Sequence, residues 1–437
     1  MKQLCMYACV MSLWVGGLAW AQLPQIEHYG GDLWSRPALT GDWGGLRNTL
    51  ARNGINLDID LVQSLQGLNA GGSLRNQDSI RYPYGGHAEY LLNVDTGKLG
   101  LWPGGFLKIK GESQFGSYLK GKNTGALLPP DAAALYPIPF DEETTLTSVV
   151  FTQFLAKFFG IYLGKIDTFS GDANAFAHEW KTQFMNTGLG PNPVLFSTIP
   201  YSTLGAGFLL LPTESVVFNF SALSPGGTAN SAGFDELFEK GVALTAELRV
   251  GVKPFGLPGH QLIGGTWNSQ TYTSLTQDPR DSIPVGSLLS GEIPLGNALS
   301  EVQIRSQSGS WAVYYNFDQF VYTTKADGSQ GIGIFGRIGF GDRNTNILEQ
   351  FYSFGVGGVG MLPGREHDRF GIGFYYTNLS NDLPGIFLSG DEIGLELFYN
   401  IAATNWLYVT PDIQVIEPVG KRATTAFLTG LRVQMRF

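Results

Sequence analysis

Along residues 426–437 hydrophobic and polar positions alternate. Phe427, Thr429, Leu431, Val433, Met435 and Phe437 fall on one parity; Ala426, Leu428, Gly430, Arg432, Gln434 and Arg436 fall on the other. Side chains on a strand alternate faces, so from Thr429 onward one face is largely apolar and the other largely polar. A soluble sheet with one buried face would carry the same pattern. Two features favour a membrane: the run matches the ~9–11 residues with which a tilted strand crosses a bilayer, and the pattern recurs. Val242, Leu244, Ala246, Leu248, Val250 and Val252 oppose Thr245, Glu247, Arg249 and Lys253, and Ile393, Leu395, Leu397, Tyr399 and Ile401 oppose Glu396 and Asn400.

The same reading gives about sixteen candidate strands, at residues 55–66, 87–95, 105–117, 146–159, 161–167, 202–211, 216–223, 242–253, 261–272, 311–321, 331–340, 351–360, 369–378, 392–401, 406–416 and 425–437. Pro411 lies inside one of them, where a missing donor predicts a bulge. The connections alternate in length. Residues 118–145, 168–201, 224–241 and 273–310 are long, whereas 159–160, 212–215, 254–260 and 402–405 are short. Long outer loops and short periplasmic turns are the habit of outer-membrane barrels, and closure removes the sheet edges that so many strands would otherwise expose. The predicted fold class is all-β: a transmembrane antiparallel β-barrel of about sixteen strands with a short N-terminal helix.

The N-terminus refines this. Lys2, the apolar run 4–18 and Ala19-Trp20-Ala21 make residues 1–21 a secretory signal peptide. Residues 22–54 form a periplasmic leader and short helix, with Leu46, Leu50 and Asn53 at helical spacing and Gly54 as its C′ stop. Residues 55–437 form the barrel. Both cysteines, Cys5 and Cys9, fall in the signal, so the mature chain has no thiol chemistry. The formal charge of -9 becomes −10 once Lys2 is removed, and with pI ≈ 5.1 and no basic run the chain is not a nucleic-acid binder. No apolar run after the signal reaches the 18 residues of a spanning helix.

The stretch Leu39-Thr40-Gly41-Asp42-Trp43-Gly44-Gly45-Leu46-Arg47, the short helix, and a strand containing Asp58-Ile59-Asp60 resemble the opening of carbohydrate-selective porins of the OprB type. Gly164-Lys165-Ile166-Asp167 and residues 186–212, with Pro200-Tyr201-Ser202 and Gly205-Ala206-Gly207, continue the likeness, which covers residues 39–437. The resemblance implies a Gram-negative outer-membrane channel for passive diffusion of mono- or oligosaccharides, without a cofactor. The pattern alone stops at a diffusion pore. Expected partners are carbohydrates, outer-membrane lipid and, through Phe437, the barrel assembly machinery; a monomer satisfies the pattern, which fixes no oligomeric state.

Motifs for other chemistry are poor. The G-x-G-x-x-G match at 355–360 lies in a strand with no helix after it, so it reads as a glycine-rich barrel wall. No G-x-S-x-G, H-E-x-x-H or Cys/His cluster occurs. An enzyme is therefore not expected, and a plugged receptor barrel lacks the residues for a plug. A barrel of this size encloses water, and the best inward loop is 168–201, whose 172–184 part is helix-like. The expected channel constriction is of mixed sign: Asp58 and Asp60 beside Arg432, then Lys110, Glu112, Glu247, Arg249 and Glu396, with Trp180 offered by the loop. Removal of Arg249 or Arg432 is expected to weaken sugar block and leave the fold intact.

Overall fold

The computed structural model describes residues 26, 28–73, 82–137, 144–170, 172–277, 305–325, 329–383 and 390–437. The expected signal peptide, with Cys5 and Cys9, lies outside these.

Helix α1 (Leu46–Arg52) leads into β1 (Ile55–Ser73), β2 (Tyr84–Asp95) and β3 (Gly105–Gly116). A single-turn helix, α2 (Gly121–Thr124), precedes β4 (Thr144–Ala156), β5 (Phe159–Asp167), β6 (Ser202–Thr213), β7 (Val216–Leu223), β8 (Ala243–Val252) and β9 (Gly259–Thr273). The chain continues through β10 (Ser306–Thr323), β11 (Gly331–Gly341), β12 (Leu348–Val359), β13 (Arg369–Leu379), β14 (Glu392–Ala402), β15 (Leu407–Glu417) and β16 (Ala423–Arg436). Each strand pairs antiparallel with its sequence neighbour, and β16 returns to β1, which closes a sixteen-stranded barrel among the described residues. Gly54 ends α1 as expected: its N–H returns to the Ala51 carbonyl at 3.0 Å, and its φ of 83° is one that a side chain would disfavour.

Both ends of the barrel chain lie on one rim. Connections on that rim are short, as at 157–158, 214–215 and 403–406; the other rim carries 117–143, 168–201 and 224–242. The later outer connections, 342–347 and 418–422, are as brief as the inner turns. Burial is inverted relative to a soluble protein. Leu155, Ile263, Trp267, Phe354, Ile372, Leu397 and Leu431 face outward and are exposed, while Arg337, Arg432, Glu396 and Lys110 point inward and are buried. That is the apolar-out, polar-in alternation of a barrel in lipid.

Pro411 makes no bulge. Its register with Leu431 on β16 is regular, and toward β14 the ladder skips Tyr399 and Asn400 before resuming with Ile401 opposite Val409 in the same register. The missing N–H removes a bond on one side without requiring an extra residue.

The larger apolar cluster lies inside the barrel, on one side of it. Phe176, Phe184, Leu189 and Val194, from the inward-folded segment 168–201, pack against Phe335, Phe351, Tyr375 and Phe398 on the inner wall of β11–β14. Glycines on that wall make the close approach possible. A Cβ on Gly357 would stand 2.7 Å from the Phe176 Cβ, and one on Gly371 would stand 2.7 Å from the Phe184 ring. The G-x-G-x-x-G match is thus part of a floor under the segment. A second apolar cluster lies on β4–β8, where Val150, Tyr162, Ile166, Leu209, Val217 and Leu223 pack with Ile199 of the segment. The inner face of β1–β3, with Asp167 of β5, carries the charged side chains that face the remaining space.

The lumen and its inward segment

The helix expected at 172–184 is absent, because side chains satisfy the backbone there in its place. The Asp172 carboxylate accepts from Asn174 N–H at 3.1 Å, the Asn174 side-chain Oδ1 from Phe176 N–H at 3.0 Å, and the Gln183 amide oxygen from His178 N–H at 2.6 Å and Glu179 N–H at 2.8 Å. Short polar side chains that bond locally compete with helix in this way. The helical turns of the segment are 3-10, at Thr187–Leu189 and Pro193–Ser197.

Three wall arginines take the carbonyls. Arg249 donates to Ala173 O at 3.0 Å. Arg337 donates to Leu189 O at 3.4 Å, to Ala177 O, and through Nε to Asp172 Oδ2 at 2.7 Å. Arg432 donates to Gln183 O at 2.6 Å and to Trp180 O. Glu396 completes the clamp by accepting from Met185 N–H at 2.6 Å and Asn186 N–H at 2.8 Å. A buried backbone group needs a partner, and here the wall supplies it. Arg249, Glu396 and Arg432, expected at the constriction, are the groups that hold the segment down. Arg432 also stands away from its expected neighbours: β1 pairs Asp60 with Arg436 and Ser64 with Arg432.

Asp58, Asp60, Lys110, Glu112 and Trp180 do come together, on a cavity of about 500 Å³. Glu247 lines a second, smaller cavity of about 60 Å³ across the segment, where it accepts from the Tyr314 hydroxyl at 2.7 Å. Sequence reasoning missed Glu89, Asp167 and Lys181 in the larger cavity. Lys181 Nζ lies 2.9 Å from both Asp60 Oδ2 and Glu89 Oε1. Lys110 Nζ reaches Asp167, Glu112 at 3.3 Å and Glu89 at 3.6 Å. Glu112 also accepts from the Tyr201 hydroxyl and faces His87 Nε2 at 3.2 Å. The result is a continuous row of alternating charge from β1 to β5. Toward the rim of short turns Asp58 is taken up by Arg47 Nη2 at 2.9 Å and the Tyr29 hydroxyl at 2.8 Å.

Aromatic rings run along the other edge. Phe196 and Phe169 lie 4.9 Å apart between centroids, Phe169 and Tyr201 5.8 Å, Tyr201 and Tyr136 5.1 Å, and Tyr136 and Trp180 6.2 Å. His87 meets Trp180 edge-on at 5.1 Å.

Charges on the segment are set by these neighbours. Burial alone would lower the Lys181 ammonium, but Asp60, Glu179 and Glu89 outweigh it and hold it well above the usual lysine range. Burial would likewise raise the Asp172 and Glu179 carboxyls, but Arg337 and Lys181 respectively outweigh it, and both sit below their ordinary values. His178 goes the other way. Burial pushes its imidazole down, and Asp172 and Glu179 offset this only in part.

Comparison with known proteins agrees with the family resemblance read from the sequence. Porin B of Pseudomonas aeruginosa is 25% identical over 223 residues, which is 45% of this chain and 46% of that protein, so the match spans about half of its curated relative. The high-pH structure of Pseudomonas putida OprB superposes with a TM-score of 0.79 at 20% identity, covering 93% of this chain and 100% of that one. Its low-pH structure gives a TM-score of 0.56 at 16% identity, over 92% and 99%. Fold and family place the chain in the Gram-negative outer membrane. The model of the family described as "Carbohydrate-selective porin, OprB family" matches residues 81–437, most of the chain, and the chain belongs to that family.

Proposed function

We propose that this barrel is a passive channel through which carbohydrates diffuse into the periplasm, and that it is not an enzyme. The observation that carries the reading is the larger cavity, in which a row of mixed charge lies beside a row of aromatic rings. Sugar rims are hydroxyls, which donate to Asp60, Glu89 and Glu112 and accept from Lys110 and Lys181. Sugar C–H faces are apolar and suit Trp180, Tyr136 and Tyr201. In wet surroundings each polar contact contributes about 1 kcal/mol net, which favours quick release over tight binding, as diffusion requires.

In this reading Asp60, Lys110, Glu112 and Trp180 contact the sugar. Asp58 is occupied by Arg47 and Tyr29, while Arg249, Glu396 and Arg432 act through the segment they hold. The test is ion current through single channels in planar bilayers, with added glucose and maltooligosaccharides. A saturable, sugar-dependent reduction of current is expected. Current indifferent to every sugar would favour a general diffusion pore, and liposome uptake that required ATP or a proton gradient would refute passive diffusion.

A further inference from the structure

The opening Asp42-Trp43-Gly44-Gly45 motif takes no part in the lumen, although its backbone is costly. Trp43 adopts φ 55°, between glycines at φ 65° (Gly41) and 69° (Gly44). A bulky residue in the left-handed region is strained, and such strain persists only where the surroundings fix it. The turn swings the indole across the rim and out over the lipid-facing wall. There its Nε1 donates to the Thr40 hydroxyl at 3.2 Å, and the Arg47 guanidinium, itself buried, lies 4.9 Å from the ring.

Beneath the overhanging ring is a groove of about 320 Å³. Its floor is the outward face of β1, Leu57, Ile59 and Leu61, and Trp43 and Phe437 line it where the chain's two ends meet the rim. The side-chain polar groups on the groove are those of Thr40, Trp43 and Tyr90; the indole N–H donates to the Thr40 hydroxyl, and the Tyr90 hydroxyl accepts from Ser113 at 3.4 Å, so water would find few partners there. The groove opens on the surface that meets hydrocarbon, at the rim that carries the short turns, and therefore faces the inner leaflet. We propose that it seats one acyl chain of an inner-leaflet phospholipid. A groove of this volume takes a segment of a single acyl chain and is too small for the face of a second protein. A seated chain would brace Trp43 and Thr40 from outside. The same leader lines the lumen on its other side through Ile26, Pro37 and Ala38, so the lipid would help fix the leader across the rim.

The test is native mass spectrometry of the full barrel released from nanodiscs of phosphatidylethanolamine and phosphatidylglycerol. The unmodified protein should retain one phospholipid per chain through delipidation. Ala88→Phe on β2, which fills the groove from beside Leu61, should lower that occupancy at least fivefold, and Ile59→Trp should do the same if Ala88→Phe fails to fold. Leu397→Phe, at an exposed outward position on β14, should leave it unchanged. Heat-modifiable mobility on unheated gels checks that each variant is folded. Absence of any retained lipid, equal retention by Ala88→Phe, or a dimer of the chain dispersed by Ala88→Phe would each overturn the proposal. In native outer membranes, lipid A in place of phospholipid at this stoichiometry would also overturn it.

Discussion

Lys181, on the inward segment, donates to Asp60 on β1 at 2.9 Å and so ties the segment to the wall opposite the one it packs on. The same ammonium reaches Glu89 at 2.9 Å. One side chain therefore spans the space through which a solute must pass. Lys181→Met is expected to take from Asp60 and Glu89 their nearest ammonium and leave them to Arg436 and Lys110, each at 3.6 Å, at a cost of about 1–3 kcal/mol to docking of the segment, while the barrel itself stays closed. Single-channel conductance should rise and sugar block weaken severalfold. Unchanged conductance and block would show that the bore is set elsewhere.

The clamp on the far side makes a different prediction. Glu396→Ala strands the Met185 and Asn186 N–H groups, and a buried donor left unmade costs about 1–3 kcal/mol. The segment should then detach part of the time. Trypsin should cleave the folded variant after Lys181, where the unmodified barrel resists, and the open-channel current should become noisier. Arg432→Ala is expected to behave alike, through Trp180 and Gln183. An effect on sugar block with no change in cleavage or noise would return these residues to direct contact.

Much of this was legible in the sequence, and the remainder has identifiable reasons. Alternation gave the strands, and the long connection 168–201 is the loop that turns inward. Parity also put Asp60, Lys110 and Glu112 on the lumen wall. Glu89 has the same inward parity on β2, so the same rule, applied there, would have found it. The placing of Arg432 beside Asp60 failed because cross-strand register depends on where β1 begins to pair, and periodicity carries no such information. The clamps were unreadable for another reason. An inward arginine looks the same from its strand whether it meets water or a carbonyl of a loop more than two hundred residues earlier in the chain.

Acid should loosen the segment. Asp172 and Glu179 are held below their ordinary values when docked, beside Arg337 and Lys181. A carboxyl with a depressed pKa in the docked state contributes stability that is complete above its free value, about 4, and is lost as pH falls through the docked value. Lys181 has the opposite sign. Its raised value keeps its contribution intact until strongly alkaline pH. His178, pushed down when docked, binds a proton more readily once undocked, so it adds a loss that begins below its free value near 6.5. Conductance should therefore be level between about pH 7 and pH 9, begin to rise below about pH 6.5 and rise further below about pH 4. Asp172→Asn should reduce that acid step. His178→Gln should remove the part of the rise near pH 6.5, the ordinary range of histidine, and keep the part below about pH 4; an unmodified protein whose conductance stays level down to about pH 4 would show that His178 does not contribute.

The glycine floor gives the most local prediction. Gly357 lies on β12 with its inner face under Phe176, and an added Cβ would come within 2.7 Å of the Phe176 Cβ. Neither atom is the end of a flexible chain, so the segment has to shift bodily or β12 has to bend. Overpacking of this kind costs about 1–3 kcal/mol. The strand's ladder to β11 and β13 is regular at this position, and alanine suits an extended backbone, so the cost falls on docking and not on the barrel. Gly357→Ala is accordingly expected to keep heat-modifiable mobility and assembly yield while raising conductance and trypsin cleavage after Lys181. Gly358→Ala tests the other face: its Cβ would point outward, toward the Phe370 ring at 2.4 Å, and any strain there should leave conductance as it is. If both variants conduct alike, the floor does not position the segment, and the glycines of β11–β13 serve only the wall.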